Sequence, residues 1–414
     1  MRPVPPAALD DASLAESLAR LARAGEDLRW LTPKDRSSLE RSTGLLGPHL
    51  EEALRRAFAP YTPGACRRLV RKARSPATPD HDRVLLAILA GPIPALATGV
   101  IFPALAARFA VRIRPSAREP RFARLILSLV SRVTPELAPS LGLVPLRSGD
   151  PRLDREVRDA PVVLAYGTDE TLRSLAALRR DRPLLGGGHR ESLVVLDGPS
   201  LASPATRRRL ARAVARDVCV YDQGGCLSPT LLVLGPGAQG DCLLADLREA
   251  LSRQTLRWPV RPPSLEVRGW LRLQVEALKD RTTGPGGSCW SPPGALTPTL
   301  AVLPTGVPPL RPSPGHRVLQ VIRTGDPADL PRLVPDLADH LQGIAITGDP
   351  ERWWRRLPES FRAPYRCRPG RLQAPPAGWP ENGRPLHLAL AQIGNPVTDT
   401  PARGAAVTPA RRRR

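Results

Sequence analysis

The chain has 414 residues, 42% of them apolar, enough to bury a sizeable core shared between two or three domains. Fifty prolines and an aromatic content of 4% disfavour long uninterrupted helices and favour short elements joined by turns. A formal charge of +22 attracts polyanions, but nearly all of it is arginine spread along the whole chain, with lysine only at Lys34, Lys72 and Lys279. With no CxxC…HxxxH finger, RNP-like aromatic strand or heptad zipper, specific nucleic acid is not an expected partner.

Residues 1–80 read as a helical segment, because SLAESLARLARAGEDL and LEEALRRAFAPYT place Leu and Ala at helical spacing with charges between them. The opening MRPVPPAALDDASLAE has no apolar h-region, and the six cysteines show no CxxC spacing. A reducing cytoplasm is the expected location. Val84–Ala107 carries no charge and exceeds the roughly 20 residues that span a bilayer. Gly91, Pro92, Pro94 and Pro103 interrupt it, so it reads as a strand (Val84–Leu89), a GPIP turn and a helix (Ala95–Arg108), not as a membrane span.

Strands and helices then alternate. FAVRIR (Phe109–Arg114), VVLAY (Val162–Tyr166) and SLVVLD (Ser192–Asp197) are strands; Arg121–Val133 and Asp169–Asp181 are helices. The alternation predicts an α/β fold with a doubly wound parallel sheet. Further on, the pattern predicts a helix over Pro204–Ala215, strands at DVCVY (Asp217–Tyr221) and TLLVL (Thr230–Leu234), and a long surface loop over Thr282–Pro314. RVLQVI (Arg317–Ile322) and GIAITG (Gly343–Gly348) read as late strands. The tail ending in RRRR reads as disordered.

The most informative segment is DVCVYDQGGCLSPT, Asp217–Thr230. Gly224 and Gly225 permit close backbone approach ahead of Cys226, and N–H groups there can lower a thiol pKa and hold an oxyanion. A cysteine after two glycines is also a common buried structural residue, so the pattern by itself leaves both readings open. No GxxxxGK[ST] loop or GxSxG elbow occurs, and the six histidines show no metal-ligand spacing, so no metal is expected.

DQGGCLSP resembles the active-site segment of the LuxC-type long-chain fatty acyl-CoA reductases, in the aldehyde dehydrogenase superfamily. Ala90–Pro120, Ala165–Leu175, Gly186–Asp197, Pro314–Ile322, Leu341–Ile346 and Arg368–Gly383 resemble other segments of that family in the same order. The resemblance implies an aldehyde-dehydrogenase-like fold, a Rossmann-type nucleotide-binding domain plus an α/β catalytic domain. The expected organisation is an N-terminal helical segment 1–80, a nucleotide-binding domain 81–197, a catalytic domain 198–345, a completing C-terminal segment 346–397 and a basic tail 398–414.

The implied reaction is NADPH-dependent reduction of a fatty acyl-CoA to a fatty aldehyde through an acyl-cysteine on Cys226. Gln223, Gly224 and Gly225 form the implied active-site turn. Arg114, Ser116, Gly167 and Thr168 are the implied cofactor-binding residues, with pyrophosphate at the helix after Gly167 and Arg114 either favouring a ribose 2′-phosphate or standing as an ordinary strand-end charge. An acyl-protein synthetase and a second copy of the chain are the implied partners.

Three departures stand out. Leu185 occupies the place of the Glu that serves as hydrolytic base in aldehyde-oxidising members. Pro92 replaces an Asn donor of the oxyanion site. Glu191 stands where the family is usually apolar. Glu191, as a surface carboxylate or an acid/base, and His189 are the candidate proton-transfer residues. The rival reading is an impaired family member that binds nucleotide or carries an acyl group without reducing it.

Overall fold

The computed structural model describes residues 3–6, 8–74, 83–179, 181–196, 201–235, 238–259, 261–348, 350–381 and 383–393. The arginine-rich tail expected to be disordered lies outside these residues. They form two units. One combines the residues up to Gly44, Leu50–His189 and those from Pro376 onward; the other combines Leu45–His49 with Arg190–Pro375.

The first unit opens with helices α1 (Asp11–Asp27), α2 (Pro33–Thr43), α3 (Pro48–Phe58) and α4 (Pro63–Lys72). Their starts are fixed locally. Asp10 accepts from Ser13 N at 2.7 Å, and Thr32 and Asp35 form a reciprocal capping box. Gly25 lets Phe58 cross closely, since a Cβ there would lie 2.4 Å from its ring. Phe58 then packs on Phe102 and Phe122, with ring centroids 6.3 Å away in each case.

The sheet of this unit consists of β1 (Val84–Ile88), β2 (Ala110–Arg114), β3 (Leu141–Leu143), β4 (Val162–Tyr166) and β5 (Leu184–Gly187). Its order is β3-β2-β1-β4-β5, with every pair parallel. The connecting helices are α5 (Ala95–Ala106), α6 (Arg121–Val133), α7 (Pro151–Asp159) and α8 (Asp169–Leu178). The order reverses between β1 and β4, which sets a ligand crevice at the carboxyl ends of those strands.

The second unit carries β6 (Glu191–Leu196), α9 (Pro204–Cys219), β7 (Pro229–Leu234), α10 (Ala238–Arg257) and α11 (Leu265–Arg281). Then follow β8 (Ser288–Trp290), β9 (Thr299–Val302), β10 (Val318–Arg323), β11 (Leu341–Thr347) and β12 (Tyr365–Cys367). The sheet order is β12-β11-β6-β7-β10-β9-β8, parallel except for β8 against β9.

Three expectations are corrected. DVCVY is not a strand: Asp217–Cys219 form the last turn of α9 and the chain then turns. Leu210, Ala211, Val214, Ala215 and Val218 are buried at helical spacing, so continuation of a capped helix outweighs the local β preference. Thr282–Pro314 is not one surface loop, because it contains β8 and the fully buried β9. The chain changes unit between His189 and Arg190, ahead of the boundary expected at 197, because Glu191–Leu196 pairs with β7 and β11.

His387, on the helix Leu386–Ile393 of the first unit, is buried, and neither ring nitrogen has a hydrogen-bond partner among the described residues. Burial, aided by Lys72, pulls its pKa from 6.5 down to about 4. A depressed histidine pKa means the unfolded chain binds the extra proton, so stability falls as pH drops from the unfolded value through about 4. Urea unfolding across that window should show the loss in the wild type and a flatter profile in His387→Leu.

Candidate active site

The cysteine turn is built from α9 and β7. After Cys219 the chain passes through Asp222 (φ 49°) and Gln223 (φ 58°), both in the left-handed region without glycine's freedom. Such residues persist only where their surroundings hold them. Arg317, whose side chain has no exposure, donates from Nε to Asp222 Oδ1 at 2.6 Å. Gln223 donates from Nε2 to the carbonyls of Pro229 (2.7 Å) and Val318 (2.9 Å). The Gln223 amide therefore ties the turn to β7 and β10, and its N–H groups are committed to backbone.

Cys226 follows Gly224 and Gly225 and is half-buried. Gly224 N donates to Tyr221 O at 2.7 Å, and Ser228 N to Gly225 O at 2.9 Å. Ser192 Oγ donates to the Cys226 carbonyl at 2.8 Å. On the far side Gln373 Nε2 donates to Ser228 Oγ at 2.8 Å and to Asp217 O at 3.3 Å. Asp217 accepts Gly370 N at 2.6 Å; burial pushes its carboxyl up to about 6, against the pull of the Gly370 and Leu372 N–H groups. The backbone carrying the thiol is thus held from β6, β10 and the 370–373 loop.

Glu191 is not a surface carboxylate. It is buried, and its Oε2 accepts from Thr230 Oγ1 at 2.8 Å and from Arg311 Nη1 at 3.0 Å. An ion pair that also bonds a hydroxyl is an anchor for the 310–317 segment more than a mobile proton carrier. The exposed His189 belongs to the first unit; its backbone N–H donates to Asp169 Oδ1 at 3.1 Å.

In the first unit Arg114 ends β2 and is buried. Its Nε donates to Leu146 O at 3.2 Å and its Nη2 to Ser148 Oγ at 2.7 Å. Among the described residues no carboxylate pairs with it, and burial lowers its pKa. Ser116 and Glu119 line a small cleft with Leu89, Gly91 and Phe122. Glu119 accepts from Arg121 N and Phe122 N and so closes the start of α6; burial raises its pKa against those bonds.

Gly167 and Thr168 lead into α8 as expected, but the helix end is already served. Thr168 Oγ1 accepts from Thr171 N at 3.2 Å, and Asp169 and Glu170 occupy the first turn. Two carboxylates there complement the helix dipole and reduce what a pyrophosphate would gain. Arg311, Arg317, Asp217 and Gln373 were not picked out from the sequence. Their partners lie 95 to 156 residues away for Arg317–Asp222 and Gln373–Asp217, so no local spacing signals them.

A doubly wound five-stranded sheet, together with a larger sheet whose β7 follows a cysteine turn, defines an aldehyde dehydrogenase fold. Aldehyde dehydrogenase 21 from Physcomitrella patens has a TM-score of 0.66 at 11% identity, over 94% of this chain and 85% of that one. The aldehyde dehydrogenase KauB from Pseudomonas aeruginosa has 0.65 at 16%, over 87% and 77%. An NAD-dependent benzaldehyde dehydrogenase from Corynebacterium glutamicum has 0.65 at 15%, over 89% and 84%. No curated protein matches the sequence. The family model of the acyl-CoA reductases (LuxC) matches residues 82–362. The chain belongs to that family of oxidoreductases.

Replacing Arg317 with Leu leaves Asp222 without its buried cation. The expected cost is about 3 kcal/mol of unfolding free energy, and Asp222→Asn in the same chain should recover part of it. Urea denaturation of the two single variants and the double variant measures the coupling.

Proposed function

We propose that the protein reduces a fatty acyl-CoA thioester to a fatty aldehyde, with NADPH as reductant and Cys226 as the acyl acceptor. The observation that carries this reading is the half-buried Cys226 on a turn whose neighbours, Asp222, Gln223 and Ser228, are each locked by buried partners. A nucleophile held this way loses little freedom on meeting its substrate.

Cys226 thiolate attacks the thioester carbonyl carbon, a new C–S bond forms, and the bond to coenzyme A breaks with loss of its thiolate. When bound, the nicotinamide cofactor supplies the hydride that turns the acyl-cysteine into aldehyde and returns the Cys226 thiolate. Deacylation by water needs a general base. Leu185 offers none, and the Glu191 carboxylate is taken up by Thr230 and Arg311. Both features favour an acyl-enzyme that survives until reduction.

Arg114 fits a ribose 2′-phosphate, since it is a buried guanidinium without a carboxylate partner among the described residues. Ser116 stands in the neighbouring cleft. An acyl-protein synthetase is the partner that would hand over the acyl group. Pro92 favours a second reading, an acyl carrier without reductase activity, because proline has no donor for an oxyanion.

Intact-protein mass after incubation with a long-chain acyl-CoA should show an acyl adduct in the wild type and none in Cys226→Ala. An NADPH chase should discharge it as aldehyde. An adduct that NADPH leaves in place supports the carrier reading, and no adduct with any chain length removes Cys226 as nucleophile. In the same assay Arg114→Ala should raise the KM for NADPH about tenfold and leave that for NADH nearly unchanged. Equal effects on both would remove the 2′-phosphate role.

A further inference from the structure

A residue from late in the chain reaches the crevice set by the reversal between β1 and β4. Tyr166 is the last residue of β4, directly before Gly167. Val163 and Ala165 pack with Leu153 and Val157 of α7 and Leu172 of α8, so alternation along the strand turns Tyr166 to the other face of the sheet. There its hydroxyl donates to Glu381 Oε2 at 2.7 Å, across 215 residues of sequence. The charge of Glu381 also reaches Tyr61, whose hydroxyl donates to the Thr98 carbonyl in the first turn of α5 at 3.2 Å. Glu381 therefore stands between the end of β4 and the start of α5, the two sides of the crevice, and all of these residues belong to the first unit.

The segment carrying Glu381 is tightly seated. A Cβ at Gly378 would lie 2.8 Å from both Leu69 Cδ2 and His387 Cε1, so the turn presses on α4 and on the helix Leu386–Ile393. That helix in turn packs on α5. We propose that Glu381 is an acid of the nucleotide crevice that gives up its charge when the anionic cofactor binds, so that dinucleotide and proton are taken up together. This role rests on the reading that the crevice takes a nicotinamide dinucleotide.

A pyrophosphate beside Gly167 and a carboxylate bonded to Tyr166, the preceding residue, repel each other where little water screens them. Asp169 and Glu170 in the first turn of α8 add to that repulsion. A proton from solvent on the Glu381 carboxylate relieves it. Burial, opposed by the Tyr166 hydroxyl, already pushes this carboxyl up to about 7, so the proton is readily held near neutral pH. The neighbouring groups keep their charge state in that range. Burial raises the Tyr61 phenol and pushes the Cys66 thiol beside it up to about 12, while burial and Lys72 hold His387 down to about 4. A bond that only tied the segment to β4 would leave cofactor affinity indifferent to the state of Glu381.

The test is the Kd of NADPH, read from its fluorescence on titration with the full chain across neutral pH. The wild type should bind about tenfold more weakly one pH unit above the Glu381 value than below it, and binding heats compared in HEPES and Tris should show uptake of about one proton on the alkaline side. NADH, which has no 2′-phosphate to titrate, should show the same dependence. Glu381→Gln is neutral at every pH, so it should bind both nucleotides with a constant affinity near the wild type's acidic value and take up no proton. Tyr166→Phe removes the bond that favours the charged form and should move the weakening to higher pH. A weakening equal in wild type and Glu381→Gln overturns the proposal, and so does a wild-type affinity that ignores pH. If Glu381→Gln does not fold, Tyr166→Phe decides, and an unmoved pH dependence there overturns it. Failure of the wild type to bind either nucleotide at any pH removes the cofactor reading itself, and the role of Glu381 with it.

Discussion

Arg317 is a guanidinium with no exposure, and its tolerance inside the second unit rests on Asp222. Removing two charges from water costs several kcal/mol each before their attraction is counted. The pair therefore adds little net stability, but it fixes a geometry. It holds Asp222 and Gln223 in a backbone conformation that neither residue prefers, three and four positions ahead of Cys226. Ser192 and Gln373 can then meet the Cys226 carbonyl and the Ser228 hydroxyl with good geometry. The segment Arg311–Val318 joins this arrangement at three points: Arg311 on Glu191, Arg317 on Asp222, and the Val318 carbonyl on Gln223.

The central strands could be read from the chain because their physics is local. β1, β4 and β7 are largely apolar runs of five or six residues, almost wholly buried, as strands covered on both sides must be. Helix α6 carries its buried Phe122, Ala123, Ile126, Leu129 and Val130 at helical spacing and was legible to the residue. The edges were not. β3, β8 and β12 are three residues each and half-exposed in part, so neither length nor alternation marks them. α10 and α11 have a weak apolar period, and their helicity shows only in the folded chain.

The site divides in the same way. Cys226 and its glycines were visible as a motif, and Arg114 as a strand-end cation. Their supports were not, because a buried charge pair or a side-chain bond to a remote carbonyl leaves no periodic trace. Glu191 shows the difference. In the sequence it is an unexpected acid; in the fold it is an anion already matched by Thr230 and Arg311. Leu185 keeps its meaning in either context, since an alkyl side chain cannot take a proton.

Neither unit is continuous in sequence. The first takes residues from both ends of the chain, and the second borrows Leu45–His49 from the N-terminal region. His49 is buried in the second unit, stacked on Trp258 at 5.0 Å and bonded to the Val220 carbonyl at 2.8 Å. During synthesis, which runs from the N-terminus, this histidine leaves the ribosome some 170 residues before Val220. The helix Leu386–Ile393, which packs on α5 of the first unit, leaves after the whole second unit has been made. The nascent chain thus holds two incomplete cores at once, and each closes only when a segment made much earlier or much later reaches it.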